Sequence, residues 1–167
     1  GESLYKTLNR IPEHEERLRF LVQQVERITG LQDFGIYMNK LLTIDAFFLN
    51  EDRHTHNIAV LMNGKGDYAY CPIFDNGAGL MADTTMDYPL SGELYSLMDK
   101  VQSKTICSEF DEQLDVSEKL YKMNLKFKFI KRDVSDLLAN AEIYPEEVRS
   151  RVEKIIFAQM RKYTYLF

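Results

Sequence analysis

The sequence predicts a mainly α-helical domain that carries one small β-hairpin. Two segments within the first fifty residues, and two more after residue 130, repeat apolar side chains at helical spacing. Between these pairs, residues 58–62 and 68–74 alternate as strands do, and they flank a turn at 63–67. With 167 residues, 45% of them hydrophobic, the chain is long enough for one domain, 1–167, with its own core.

Composition and charge exclude several functional classes. The net charge of -5 disfavours a direct nucleic-acid surface, and no apolar run approaches the length of a membrane span. Cys71 and Cys107 do not form a CxxC pair, so we expect a reduced, cytoplasmic protein. The start at Gly1, Glu2 and Ser3 lacks Met and an apolar signal region, which indicates a processed or excised chain.

Two helices are predicted in the first fifty residues. The first follows Pro12 and its acidic neighbours and ends at Gly30, a typical C-terminal cap. The second runs from about Leu31 to Leu49 and is apolar on almost every side, so we expect it to be buried. Gly35 and Asp45 are the two residues of this helix that do not fit its apolar pattern.

The hairpin and the second half complete the predicted elements. The hairpin turn is formed by residues 63–67, so residues 57 and 75 are expected to lie close in space. A loop follows at 76–89. Further helices are predicted at 92–104, 109–124, 134–141 and 145–163.

The ends of the predicted hairpin carry an unusual group of polar residues. Asp52 lies in the loop after the buried helix, where a fixed carboxylate can orient a hydroxyl and accept its proton. Asn57 and Asp75 offer oxygen atoms of the kind that Mg²⁺ prefers. Gly77 and Gly79 are expected to relax the backbone behind Asp75. The spacing predicts a base and a metal site for phosphoryl transfer.

The segments LLTIDAFFLNEDRHTHNIAVL and PIFDNGAGL resemble the C-terminal lobe of HipA-like serine/threonine kinases, over about residues 41–80. The Asp-Arg-His-x-x-Asn string at 52–57 also resembles the catalytic loop of phosphoinositide 3-kinase-like enzymes. The resemblance implies a helical kinase-like C-lobe in which Asp52 is the catalytic base. It also implies that His54 contacts the nucleotide, and that Asn57 and Asp75 bind Mg²⁺ and, through it, ATP.

The same resemblance implies partners. HipA-like kinases are bacterial enzymes, several of them toxins of toxin–antitoxin modules. A protein Ser or Thr would be the acceptor, and an antitoxin would be a possible partner. Neither follows from the residues themselves.

The chain departs from the kinase pattern at two points. Asn76 stands where eukaryotic protein kinases place Phe. Before residue 41 there is no Gly-rich phosphate loop and no strand-borne Lys, and the single Gly-x-Gly at 64–66 lies in the hairpin turn. The N-terminal lobe of a kinase is therefore missing from this sequence, and we expect the chain alone to bind ATP poorly.

Other interpretations remain open from the sequence. A non-catalytic interaction module would retain the motif without activity. A metal-dependent hydrolase would use Asp52, His54, His56 and Asp75.

Single residues also carry expectations. Arg53 is expected in a local salt bridge and Asp45 as a buried residue that caps the following loop. His56 is expected at the surface, and His54 either braces the loop or contacts the nucleotide. Asp83 and Asp87 are expected as ordinary loop carboxylates, and residues 126–131 as a half-buried surface segment.

Overall fold

The structure is a computed structural model that describes residues 3–167; the predicted processing at Gly1 and Glu2 lies outside them. Within this range, helices dominate and the only sheet is one antiparallel hairpin, which confirms the predicted mainly α fold. The elements are α1 (Leu4–Asn9), α2 (His14–Thr29), α3 (Phe34–Phe48), β1 (Val60–Met62), β2 (Tyr68–Tyr70), α4 (Leu94–Met98), α5 (Phe110–Tyr121), α6 (Lys131–Asn140) and α7 (Glu146–Lys162).

The first two predicted helices are present with shifted starts. Helix α2 ends at Gly30, whose φ of 72° is the left-handed conformation expected of a glycine cap. Helix α3 begins three residues later than predicted because Asp33 is itself left-handed, with φ of 61°. The Glu26 carboxylate accepts a 3.0 Å hydrogen bond from the Phe34 amide, which satisfies one free N–H at the helix start.

The second half follows the prediction except at two places. The helix predicted at 92–104 shrinks to α4, and the residues beyond it form an irregular segment. Helix α6 begins at Lys131, ahead of the predicted start, because Asp133 accepts a 2.8 Å hydrogen bond from the Ile130 amide. Residues 126–130 are a partly buried, irregular segment, as expected.

Helix α1 has no counterpart in the predictions. The Ser3 hydroxyl accepts a 3.4 Å hydrogen bond from the Lys6 amide at its start, and Leu8 buries its side chain in the core. The helix is six residues long, too short for a clear apolar period.

Two groups of buried apolar side chains form the core, and α3 contributes to both. Phe34, Met38 and Leu41 pack with α1 and α2. Ala46 and Phe47, toward the other end of the helix, pack with α5 and α7. The predicted burial of α3 is confirmed, and its C-terminal end brings the following loop to the surface of the core.

The hairpin packs on the first turn of α3 through aromatic rings. Tyr70 stacks on Tyr37 and Phe34, with ring centroids 5.7 Å and 6.4 Å away. Only three residues of each strand pair, since Val60 faces Tyr70 and Met62 faces Tyr68. The predicted second strand is therefore too long, because residues 71–74 lie outside the sheet. No helix among the described residues has the length and apolar character needed to cross a membrane.

Candidate functional site

Arg53 is the structural centre of the loop after α3. Its side chain has no solvent exposure, and its Nε lies 3.0 Å from Asp45 Oδ2 while Nη2 lies 3.2 Å from Asp45 Oδ1. The Asn50 side-chain amide donates a third hydrogen bond, of 3.0 Å, to Asp45 Oδ1. The expected local salt bridge and the expected capping role of Asp45 are both confirmed.

The same guanidinium group binds both ends of the hairpin. Nη1 donates to the backbone carbonyl of Asn57 at 3.1 Å and to that of Phe74 at 2.5 Å. Nη2 donates to Asn76 Oδ1 at 2.6 Å. One side chain therefore holds the backbone at Asn57 beside the backbone that flanks Asp75, which sequence alone separates by 18 residues.

Asp52 presents an accessible carboxylate next to two basic side chains. It is 46% exposed, and its Oδ1 lies 3.9 Å from Lys104 Nζ and 4.0 Å from His54 Nε2. Neither contact is a hydrogen bond, so the carboxylate keeps its capacity to accept a proton from a bound hydroxyl.

Asn57 is oriented by the loop that it follows. Its Nδ2 donates a 2.9 Å hydrogen bond to the Asp52 carbonyl, so its Oδ1 is the atom suited to a hard cation. This amide oxygen and the Asp75 carboxylate are oxygen donors, the ligand type that Mg²⁺ prefers and that suits it better than zinc.

His54 braces the loop. Its Nδ1 accepts a 3.2 Å hydrogen bond from the backbone amide of His56, and its Nε2 lies 3.5 Å from Asn57 Nδ2. The sequence left bracing and nucleotide contact open, and bracing is present. His56 is exposed, as expected.

The backbone at Asp75 is strained. Asp75 is exposed and adopts a left-handed conformation with φ of 54°, which is uncommon for residues other than glycine. Leu49, at the end of α3, and Leu80 and Met81, in the loop after Asp75, share this conformation, as do Asp33 and Lys122 in other parts of the chain. Such strain concentrates at functional sites, where the surrounding structure enforces it.

The predicted role of Gly77 and Gly79 needs correction. Neither has the positive φ that would show a need for glycine's freedom, and a Cβ at Gly77 would meet open space. Gly79 instead permits a close approach, since an added Cβ would lie 3.1 Å from the Phe48 carbonyl oxygen. The strain is carried by Asp75 and its neighbours because Arg53 fixes the chain at Phe74 and Asn76.

The loop after Asp75 is anchored to α3 and to the loop that follows α3. The Leu80 amide donates to the Phe48 carbonyl at 2.7 Å, and the buried Tyr88 hydroxyl donates to Glu51 at 2.5 Å. Burial and this acidic neighbour raise the pKa of Tyr88 far above its ordinary value, so the hydroxyl stays a donor. Asp83 accepts hydrogen bonds from Thr85 and Met86, which makes it the loop carboxylate that was expected.

The contacts of the segment that joins α4 to α5 are not predicted by the sequence. Thr105 Oγ1 donates a 2.5 Å hydrogen bond to the Arg53 carbonyl, and Lys104 reaches Asp52. Neither contact could be anticipated, because the sequence predicts a regular helix over 92–104. Only the folded chain shows that this segment borders the candidate site.

The chain was compared with protein-family models, with curated proteins and with solved structures. None of the three comparisons found a match. The interpretation of the site therefore depends on its own geometry and on the resemblance of residues 41–80.

The hydrolase interpretation is not supported by clustering of its residues. In residues 3–167, a single group of three or more His, Cys, Asp or Glu ligand atoms lies within 4.8 Å of one another, and it comprises His14, Cys107 and Glu112. His54, His56 and Asp75 do not form such a group.

Proposed function

We propose that this domain takes part in Mg²⁺-dependent phosphoryl transfer from ATP to a Ser or Thr hydroxyl of a protein. The observation that carries the proposal is the set of bonds from Arg53 to the Asn57 and Phe74 carbonyls and to Asn76. These bonds bring together the two chain segments that supply the metal-type ligands, beside the accessible carboxylate of Asp52.

Each residue has a distinct role in this proposal. Asn57 Oδ1 and the Asp75 carboxylate would hold Mg²⁺, and the ion would supply the positive charge that neutralises the ATP phosphates. Asp52 orients the acceptor hydroxyl. The hydroxyl oxygen forms a new bond to the γ-phosphorus, and the bond between that phosphorus and the bridging oxygen of ADP breaks. The hydroxyl proton passes to the Asp52 carboxylate.

The described residues supply only the part of such a site that belongs to a kinase C-terminal lobe. In residues 3–59 every regular element is helical, so no strand carries a Lys toward the phosphates and no sheet covers the hairpin. Phosphoryl transfer depends on positioning and electrostatics, and one missing contact to the transition state costs about 10²–10³ in rate. We therefore expect slow transfer by this chain alone.

This missing half also favours a second candidate function. A non-catalytic module that binds a partner does not need the N-terminal lobe that covers the ATP phosphates in a kinase. The apolar side chains of Leu61 and Met62 on the hairpin, 49% and 63% exposed, offer a surface for one.

Nucleotide titration followed by NMR tests the proposal, because it detects binding in the millimolar range. We expect MgATP to shift the amide signals of residues 52–57 and 74–76 in a Mg²⁺-dependent way, and Asp75→Ala to abolish the Mg²⁺ dependence. Asp87→Ala, at another exposed loop carboxylate, serves as the matched control and keeps it. Absence of any Mg²⁺-dependent shift in the unmodified chain would overturn phosphoryl transfer and leave the interaction module.

A further inference from the structure

A second cluster of ligand-type side chains lies away from the candidate phosphoryl-transfer site. His14 is the first residue of α2, Cys107 lies in the segment before α5, and Glu112 lies in the first turn of α5. Their ligand atoms, His14 Nδ1, Cys107 Sγ and a Glu112 carboxylate oxygen, all lie within 4.8 Å of one another. Three separate parts of the chain thus converge on one point.

Partly or fully buried hydrogen bonds hold the backbone that carries these side chains. Arg17 donates two hydrogen bonds to the Ile11 carbonyl and one, of 2.5 Å, to the Ile106 carbonyl. The Ile106 amide donates to Oε1 of Gln113, a side chain with no solvent exposure. Arg17 and Gln113 therefore fix the approach to His14 and the segment before Cys107 independently of any metal.

The chemistry of the three donors matches zinc. A neutral imidazole, a thiolate and a carboxylate give a mixed nitrogen, sulfur and oxygen set whose two negative charges balance Zn²⁺. Zinc ligands at ~2.0–2.3 Å from the ion are separated by roughly 3.3–3.8 Å. His14 Nδ1 and Glu112 Oε1 lie 2.5 Å apart, so these two side chains must rotate apart to admit an ion.

We propose that His14, Cys107 and Glu112 bind Zn²⁺, with a water molecule in the fourth position. The His14 and Glu112 side chains are 32% and 50% exposed, which leaves an open face for that water. The alternative to a metal site is a hydrogen bond between His14 and Glu112, with the Cys107 thiol nearby but without a role in binding.

Zinc at this point would connect α2 and α5 to the segment that borders Asp52. Thr105, two residues before Cys107, donates its hydroxyl to the Arg53 carbonyl. The ion would therefore restrain Lys104 and Thr105 through the backbone. Zinc binding does not depend on the phosphoryl-transfer proposal and is tested without nucleotide.

Metal titration of the chelator-treated chain tests the site. We expect one equivalent of Zn²⁺ to bind at micromolar concentration, and Co²⁺ to give a near-ultraviolet thiolate-to-metal charge-transfer band. Cys107→Ser should remove that band, while Cys71→Ser, at the other free cysteine, should keep it. His14→Ala and Glu112→Gln should each weaken Zn²⁺ binding by at least about tenfold.

Two further measurements keep the test decisive. Circular dichroism in chelator establishes that each variant is folded, and Glu112→Gln alters an exposed side chain and buries no new polar group. His56→Ala reports adventitious binding by the His54–His56 pair and should leave the affinity unchanged. Absence of micromolar binding, or unchanged binding by Cys107→Ser, would overturn the proposal and leave the hydrogen bond.

Discussion

The Arg53 guanidinium lies 3.0 Å from the Asp45 carboxylate in a fully buried ion pair, with side-chain exposures of 0% and 1%. Burial raises the pKa of Asp45, and hydrogen bonds from Arg53 and Asn50 oppose that rise. Burying two charges is costly, so the pair is weak as a source of stability in itself. Its structural value lies in the remaining donors of Arg53, which join the two ends of the hairpin.

Arg53→Met should destabilise the domain strongly. The substitution leaves Asp45 buried without its cation and releases the Asn57 and Phe74 carbonyls, which predicts a loss of about 3–5 kcal/mol in the free energy of unfolding. Urea denaturation measures the loss. Arg19→Met, which breaks partly exposed ion pairs with Glu15 and Glu16, should change the stability far less, because solvent screens such surface pairs.

The ion pair also predicts coupling. In the double variant Arg53→Met with Asp45→Asn, no uncompensated carboxylate remains, so the combined loss should be smaller than the sum of the two single losses. Additive losses would show that the two side chains do not act as a pair.

Gly35→Ala should destabilise α3 against α5. A Cβ at Gly35 would lie 2.2 Å from Cδ1 of the Tyr121 ring, so the ring must move, and such overpacking costs about 1–3 kcal/mol. Thermal and urea unfolding measure the change. Tyr121→Ser in the same chain should remove most of the extra cost of the alanine.

Gly77→Ala is the matched control for this prediction, because a Cβ there would meet open space. A change of stability at Gly77 as large as that at Gly35 would contradict the steric explanation.

Gln159→Leu should cost about 1–3 kcal/mol despite its similar volume. The buried Gln159 amide donates to the carbonyls of Ala46 and Phe47, at 3.0 Å and 2.9 Å, and these lie in the last turn of α3 where helical partners run out. Urea denaturation measures the loss. Gln23→Leu, on the exposed face of α2, should change stability little, and equal effects at both positions would refute the capping role of Gln159.

Asp111 should contribute stability that is lost in acid. Burial alone would raise its pKa, but hydrogen bonds from Lys162 and Tyr163 hold the pKa of this carboxyl below its usual value. A lowered folded-state pKa gives stability that is present above the unfolded value of about 3.9 and disappears as the pH falls through the folded value. Asp111→Asn should therefore lower the melting temperature at neutral pH, and this difference should shrink below about pH 4.

Melting curves between neutral and acidic pH provide the measurement. Asp115→Asn, which removes an exposed carboxylate from the same helix, serves as the matched control. A difference for Asp111→Asn that stays constant to low pH would rule out the proposed contribution.

Periodicity predicted the helical fold because most helices bury one apolar stripe. It also predicted the hairpin because the turn residues at 63–67 stand between two alternating segments. Glycine at position 35 was unexplained, since the ring that requires it, Tyr121, lies on a helix far along the chain. Helix propensity likewise failed at residues 99–104, where the Ser103 hydroxyl donates to Gln113 and Thr105, the residue after this segment, donates to the Arg53 carbonyl.

The candidate site was predictable only in part. The sequence segment at 52–57 identified Asp52, His54 and Asn57, and the predicted hairpin turn at 63–67 placed Asp75 near them. Their roles in catalysis and in binding ATP and Mg²⁺ stay predictions. The roles of Lys104 and Thr105 depend on long-range contacts with no local signal. Arg53 was assigned a local ion pair, but its bonds to two carbonyls across the hairpin could not be read from one segment.

Because α3 supplies side chains to both apolar groups of the core, neither half of the domain has an interior of its own. Unfolding of one half would remove packing contacts from α3, and the other half needs α3 for its own core. Heat or urea should consequently produce a single sigmoidal transition that coincides by fluorescence and circular dichroism, with no half-folded species at its midpoint.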